Sequence, residues 1–382
     1  MEVKECRIRS YNGDIERSRV EDLERRCDVG PSQHLFADTK GDPMCRIRNS
    51  PLYIMLVAEL GNELVGVIQG TIKFVTVHNP SKGLAKVGYI LGLRVCPLHR
   101  RQGIASTLVR HLEDWFISNR VDYAYMATEK DNQASVNLFT NRLGFARFRT
   151  PAILVQPVSA RTVRLSPTIE IAKLGLDQAE SLYRRFMGSA DFFPDDVDKV
   201  LANKLSLGTW VAYPRVCPND GFGPDGRVPD SWAMASVWDS GGIFKLRVGK
   251  STLSCSVYEA YSRLMDRVLP CFAVSVLPDF FGPFGFYFMY GLHRQGPGSG
   301  RLVRALCRFV QNLAAKSHDC KVVVAEVGGG DAVRMHVPHW RLLSCPEDLW
   351  CVKALKSELK DSLDELTNKS PTRALFVDPR EV

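Results

Sequence analysis

The chain has 382 residues, more than the ~100–200 of one ordinary domain, so two cores are expected. With 45% hydrophobic and 24% charged residues it has a globular make-up, which excludes wholesale disorder and the fibrous classes. Its 50 Lys and Arg against 42 Asp and Glu leave +8, enough to attract an anion weakly and too little to name one.

No uncharged apolar run approaches the ~20 residues of a membrane span, and the opening MEVKECRIRS is charged where a secretory signal needs apolar residues. A cytosolic or nuclear protein is expected, with no membrane partner. The cysteines stand singly, without the CxxC pairs of zinc or thioredoxin-type sites. They read as reduced and mostly buried small apolar residues.

Residues 16–27 form a charged helix candidate. After a Gly, Asp and Pro-rich stretch, LYIMLVAE at 52–59 and LVGVIQGTIKFVTV at 64–77 read as strands, with Gly61-Asn62 between them as a hairpin signal. A third apolar run covers 84–95. Ile104, Leu108, Leu112, Trp115 and Phe116 then have the spacing of one buried helical face. Residues 121–128 follow as a strand and 132–142 as a helix, an order that predicts a parallel, helix-covered pair.

Prolines 151, 157 and 167 mark a candidate boundary. Beyond it a strand is predicted at 168–173, a helix at 176–187 and a strand at 209–213. The stretch 214–230, rich in Pro and Gly, reads as a solvated insertion. An internal repeat spans the two halves. Leu108-Val109-Arg110-His111-Leu112 returns 194 positions later as Leu302-Val303-Arg304-Ala305-Leu306, and the same offset carries Trp115 onto Phe309 and Arg100 onto Arg294. With three extra residues between, Asp122 and Glu129 match Asp319 and Glu326.

The segment that carries chemistry is Arg100-Arg101-Gln102-Gly103-Ile104-Ala105, between an apolar strand and an amphipathic helix. A loop entering a helix aims unpaired N–H groups and the positive helix end at whatever sits above it, which suits a pyrophosphate. Gly103 lets the backbone approach closely, and Arg100 and Arg101 add charge. On this local pattern alone, a basic turn without a ligand is the better reading.

Strand, then R-x-x-G-x-A, then helix resembles the acetyl-CoA pyrophosphate loop of the GNAT N-acetyltransferase superfamily. NQASVNLF at 132–139, ending in Gly144-Phe145, is similar to that superfamily's next motif. Over both halves the chain resembles the plant hookless family of N-acetyltransferases, notably in DLERRCDVGPS at 22–32, LGLRVCPLHRRQGI at 91–104, ATEKDNQASVNLFT at 127–140, EDLWCVKAL at 347–355 and FVDPREV at 376–382.

The resemblance implies an α+β protein of tandem GNAT acyltransferase folds, each a mixed central sheet flanked by helices, the second copy divergent. The implied domains are 1–157 and 158–382. It implies acetyl transfer from acetyl-CoA to an amine, either a protein lysine such as a histone's or a small amine. No metal and no direct nucleic-acid contact are expected. A nuclear regulator of ethylene- and auxin-controlled plant growth is the implied setting.

In such a fold the strands ending at Val95 and Thr128 splay apart around the pantetheine arm. Backbone N–H groups of Leu93, Arg94 and Val95 would pair with that arm and polarise the thioester carbonyl. Arg100, Arg101, Gln102, Gly103, Ile104 and Ala105 would hold the pyrophosphate, Asn132 would sit beside the pantetheine and Phe139 would cover the thiol.

This chain also departs from the family's pattern. Phe139 stands where many GNAT enzymes use a tyrosine hydroxyl to protonate the thiolate, and phenylalanine cannot do so. The helix has one extra residue before Gly144-Phe145. Tyr89 occupies the fourth-strand position of the histone-type glutamate base. Glu129 is the nearest replacement, as a base or amine-binding carboxylate or as a merely solvated one. Tyr125 and Tyr89 are acid candidates, or packed aromatics. In the second half, Pro297 falls where Gly103 gives its amide, so a lapsed site is expected there. The proline in His336-Val337-Pro338-His339 argues against a helical metal pair. Two functional readings follow: a working acetyltransferase, or an acetyl-CoA-binding GNAT-fold regulator with little turnover.

Overall fold

The computed structural model describes residues 6–27, 35–79, 82–159, 161–215, 222, 227–248, 280, 282–345, 347–368 and 374–382. The insertion expected at 214–230 lies in large part outside them, as do Cys217, Cys255 and Cys271. The cysteines it does describe are all free thiols.

The first half runs β1 (Cys6–Ser10), α1 (Gly13–Cys27), β2 (Leu35–Asp38), β3 (Leu52–Leu60), β4 (Glu63–Asn79), β5 (Lys82–Val95), α2 (Ile104–Ser118), β6 (Tyr123–Glu129), α3 (Gln133–Val136), β7 (Ala146–Arg149) and β8 (Ala152–Pro157). The second runs β9 (Ile169–Lys173), α4 (Leu176–Met187), β10 (Phe193–Pro194), α5 (Val197–Leu201), β11 (Ser206–Pro214), β12 (Trp232–Asp239), β13 (Lys245–Val248), β14 (Gly285–Gln295), α6 (Ser299–Ala314), β15 (Cys320–Val327), β16 (Asp348–Ala354) and α7 (Lys360–Asn368). The predicted elements fall within a few residues of these.

Gly61, at φ +61°, turns β3 into β4 as the Gly-Asn signal predicts. The apolar stripe of α2, with Ile104, Leu108, Leu112 and Phe116 buried, docks on a patch of sheet cleared of side chains. A Cβ on Gly70 would lie 2.5 Å from Leu112 Cδ1, and one on Gly88 would lie 2.7 Å from Phe116 Cε1. Glycines at these two strand positions therefore set how closely the helix approaches.

β5 and β6 pair in parallel, with α2 packed on β5 and its neighbours β4 and β3, and β14 and β15 pair in parallel, covered by α6. The repeated residues take matching places. Asp122 ties to the start of β5 through Lys86, and Asp319 ties to the start of β14 through Gly285. Both halves thus repeat strand, glycine loop, helix and parallel strand.

The sheets are nevertheless not separate. The first has the order β1-β3-β4-β5-β6-β16-β7, with β10 beside β4; the second has the order β8-β15-β14-β12-β11-β9. Strand β16 comes from the second half yet lies between β6 and β7, antiparallel to both. Strand β8 comes from the first half yet closes the second sheet against β15. A cut at 157 would therefore remove β16 and β10 from the first sheet and β8 from the second. A single apolar cluster runs through both halves, joining Val65, Phe116 and Tyr125 to Trp238, Val324 and Phe376, while a second lies between the outer sheet face and α6.

Candidate active site

The last rung shared by β5 and β6 is Ile90 with Met126. Beyond it β5 continues through Leu93, Arg94 and Val95, while Ala127, Thr128 and Glu129 of β6 keep only their pairing with Trp350, Leu349 and Asp348 of β16. The register of β5 against β4 shifts here, around Gly92 at φ +63°. The two strands part, leaving a cleft at their carboxyl ends, the usual place for a site in a parallel sheet.

One end of this cleft meets the loop that enters α2. Gly103 is the N-cap residue at φ +85°, and no side chain caps the helix, so its first-turn N–H groups keep no side-chain acceptor. An ideal Cβ on Gly103 would meet nothing within 4 Å. Arg100, Arg101 and Gln102 are exposed around it, with Arg101 itself at φ +63°. Ile104 is buried and anchors the helix, whereas Ala105 is partly open. An open, positively charged helix terminus with room above the backbone fits a pyrophosphate.

The second loop has the same backbone plan, with Gly298 as N-cap at φ +69°, but protein fills its mouth. Ser299 is wholly buried and takes a hydrogen bond from Arg294 Nη1 at 3.1 Å. The His336 ring packs on Gly300, where a Cβ would lie 2.4 Å from its Cε1. Gly296 lies against the Asp230 carbonyl. His336 is thus a packing residue, and burial lowers its pKa. Among the described residues one group has metal-ligating geometry, Glu63, Cys96 and His99, and Arg26 donates to Glu63 at 3.1 Å and to Cys96 at 3.5 Å. That guanidinium already supplies the positive charge a cation would bring.

The face of the sheet opposite α2 holds Tyr89 and Tyr125. Tyr89 and Tyr125 stack with ring centroids 4.8 Å apart, and Trp350 stacks on Tyr125 at 5.6 Å. Both tyrosines are buried, and desolvation raises the pKa of each. The Tyr125 hydroxyl donates to Glu381, a residue of the C-terminal segment. That segment lies over the sheet through a buried ion network. Lys73 Nζ sits 2.7 Å from Glu381 and 3.1 Å from Asp378, and Arg380 links Asp378 to Asp196. Tyr125 is therefore committed to a structural bond, and as an acid it would have to leave it.

Glu129 stands at the open end of β6, partly exposed and opposite Asp348 in the register. Asn132 uses its side-chain oxygen to cap the next helix, accepting from Ser135 N at 3.2 Å, and is itself exposed. Phe139 packs edge-on against Phe145 at 5.2 Å and is 2% exposed, so it belongs to the core. It lies in a π-helical turn, Asn137–Arg142. The wider turn absorbs the extra residue counted before Gly144-Phe145, the usual cause of a π-bulge.

Two candidate residues escaped the sequence reading. Glu326 of β15 accepts from Trp350 Nε1 at 3.1 Å, across the exchanged strands. Burial and the neighbouring Asp348 raise its pKa to about 8, and burial and Glu129 raise that of Asp348 to about 7. Two neighbouring carboxyls whose pKa values are both raised mark a candidate site. The repeat did pair Glu326 with Glu129, but no periodicity reveals that the two strand ends converge.

Comparison with known proteins agrees with this geometry. Residues 17–145 match the acetyltransferase (GNAT) family. The chain is 46% identical to the probable N-acetyltransferase HLS1 of Arabidopsis thaliana and 45% identical to its HLS1-like relative, over 98% of this chain and 99% and 98% of theirs. It is 36% identical to the acetyl transferase GW6a of Oryza sativa subsp. japonica over 98% of this chain and 97% of that one. Among solved structures, Saccharomyces cerevisiae N-myristoyltransferase with bound myristoyl-CoA shares the fold, with a TM-score of 0.55 over 93% of this chain and 80% of that one at 10% identity. From the open helix terminus, the parted strands and these full-length likenesses together, the chain belongs to the GNAT family as a plant hookless-type, acetyl-CoA-dependent N-acetyltransferase.

Proposed function

We propose that acetyl-CoA lies with its pyrophosphate over Gln102, Gly103, Ile104 and Ala105 and its pantetheine in the cleft between β5 and β6, and that its acetyl group passes to a primary amine. The observation that carries this reading is the open, uncapped N-terminus of α2 beside strands that part. Acetyl-CoA supplies the activated acyl group. Leu93, Arg94 and Val95 line the cleft along its β5 edge, Arg100 and Arg101 supply charge for the phosphates, and the exposed Asn132 stands on the far side, backed by Phe139 from within the core. The second half is then a divergent GNAT copy whose own loop has lapsed, its mouth filled by His336 and Asp230. Calorimetry with acetyl-CoA tests the assignment. Micromolar binding to the full chain that vanishes in Gly103→Leu supports it, and undiminished binding by that variant removes it.

The amine is a protein lysine, such as a histone's, or a small amine, and mass spectrometry of acetylated products decides between them. The setting in the nucleus, and in ethylene- and auxin-controlled growth, rests on the hookless likeness. A fluorescent fusion of the full chain excluded from plant nuclei would remove the first. A second reading, a regulator that binds acetyl-CoA with little turnover, is favoured by one feature: the hydroxyl-less Phe139 together with Tyr125 held by Glu381 leaves no free phenol at the thiol. Steady CoA release dependent on an acceptor would exclude it.

A further inference from the structure

We propose that Glu326, carried by the second half of the chain, is the catalytic base that takes a proton from the acceptor's ammonium group. The inference rests on the acetyl-transfer reading above and adds to it the residue that makes the amine nucleophilic.

An alkyl amine has a pKa near ~10.4, so it arrives as an ammonium ion and gives up a proton before it can attack. On the face of the sheet away from α2, the candidates offered by the first half are poorly suited. Tyr89 and Tyr125 are buried phenols, and Glu129 stands at the outermost end of β6. Glu381 is held by both Lys73 and Tyr125.

Glu326 is differently placed. Trp350, which anchors it, pairs with Ala127, the first β6 residue past the last rung shared with β5. The indole lies on the ring ladder of Tyr125 and Tyr89, so the carboxylate at its Nε1 stands at the end of a ladder that runs to the pair one rung before the strands part. Its charge reaches Tyr89, which holds the sheet position next to the parting point. Glu326 is only partly exposed, and among the described residues its carboxylate accepts one hydrogen bond, from Trp350. A carboxylate has about four lone-pair sites, so capacity is left for an ammonium ion. Asp348 beside it is more deeply buried and lies at the register position of Glu129.

Its surroundings tune it for the task. Burial above all pushes its pKa up, Asp348 on β16 and Glu381 on the C-terminal segment add to that, and the Trp350 N–H pulls it down. Lys73 faces Glu381, and Glu129 acts on Asp348. The outcome is a carboxylate more basic than an ordinary one, which makes it a more effective general base near neutrality.

In the transfer, the ammonium gives one proton to the Glu326 carboxylate, and the freed nitrogen pair forms a bond to the acetyl carbonyl carbon. The carbon–sulfur bond breaks with its electrons on sulfur, the remaining excess proton on nitrogen ends on that thiolate, and Glu326 returns its proton to water.

The test uses the full chain, E326Q and W350F. The amide oxygen introduced by E326Q can still accept from Trp350, so folding is preserved. Subtracting W350F fluorescence from wild type isolates the Trp350 signal. It should titrate between pH 6 and 9 and respond to spermidine, and both responses should vanish in E326Q. Acetyl-CoA binding by calorimetry should be equal in E326Q and wild type, which separates this proposal from the cofactor assignment. CoA release with spermidine or a Lys-containing peptide should fall about a hundredfold in E326Q. A wild-type Trp350 signal indifferent to both pH and spermidine overturns the proposal, whether or not either amine is acetylated. So does E326Q turnover within threefold of wild type.

Discussion

Gly103 shows how one residue can matter to a ligand and hardly at all to the core. Its φ of +85° disfavours any L side chain, yet nothing lies within 4 Å of a Cβ placed there. Gly103→Leu should therefore cost about 1–3 kcal/mol of backbone strain, visible in urea unfolding, and lose at least tenfold in acetyl-CoA affinity because the side chain occupies the phosphate's place. A variant that unfolds like wild type and binds like wild type would contradict both halves of that statement. Glu326 and Asp348 make the second prediction at this scale. Both keep protons in the folded chain at pH values where the unfolded chain, with carboxyls near ~4, has lost them. Folding thus takes up protons, so their contribution to stability falls as pH rises from about 4 towards 8. Urea midpoints at pH 5 and pH 8 should differ less for E326Q than for wild type. An unchanged difference would mean that Glu326 titrates normally.

At the scale of elements, the contact of α2 with the sheet depends on what the strands lack. Gly88→Val would press a branched side chain into the Phe116 ring, and overpacking of this kind costs roughly 1–3 kcal/mol. The thermal midpoint should drop by several degrees, with acetyl-CoA affinity reduced only as far as the α2 terminus is displaced. An unaltered midpoint would show that the helix can move away freely. The helix itself was legible, because five apolar residues at helical spacing admit one docking face. The same holds for the loop at 100–105, which is local. The π-turn was half legible: counting revealed the extra residue, but whether a helix widens or a loop lengthens depends on the buried Phe139 and Phe145, which hold the helix in place on both sides.

For the whole molecule, the exchange of β8 and β16 makes the halves interdependent. Fragment 1–157 expressed alone lacks the strand that separates β6 from β7 and exposes the edge of β6. It should be insoluble or fail to bind acetyl-CoA, recovering when co-expressed with 158–382, whereas the intact chain should unfold in one transition. A soluble, acetyl-CoA-binding 1–157 would refute this. Two repeated strand-loop-helix-strand units, one intact phosphate loop and one degraded by Pro297 can be read along the chain, because these depend on adjacent residues. Which strands pair is settled by the folded chain alone. Short apolar strands such as Ala152–Pro157 and Asp348–Ala354 specify their buried faces through alternation but not their partners. That choice brings Glu326 to Trp350 and the C-terminal Glu381 to Tyr125, contacts that no local pattern encodes.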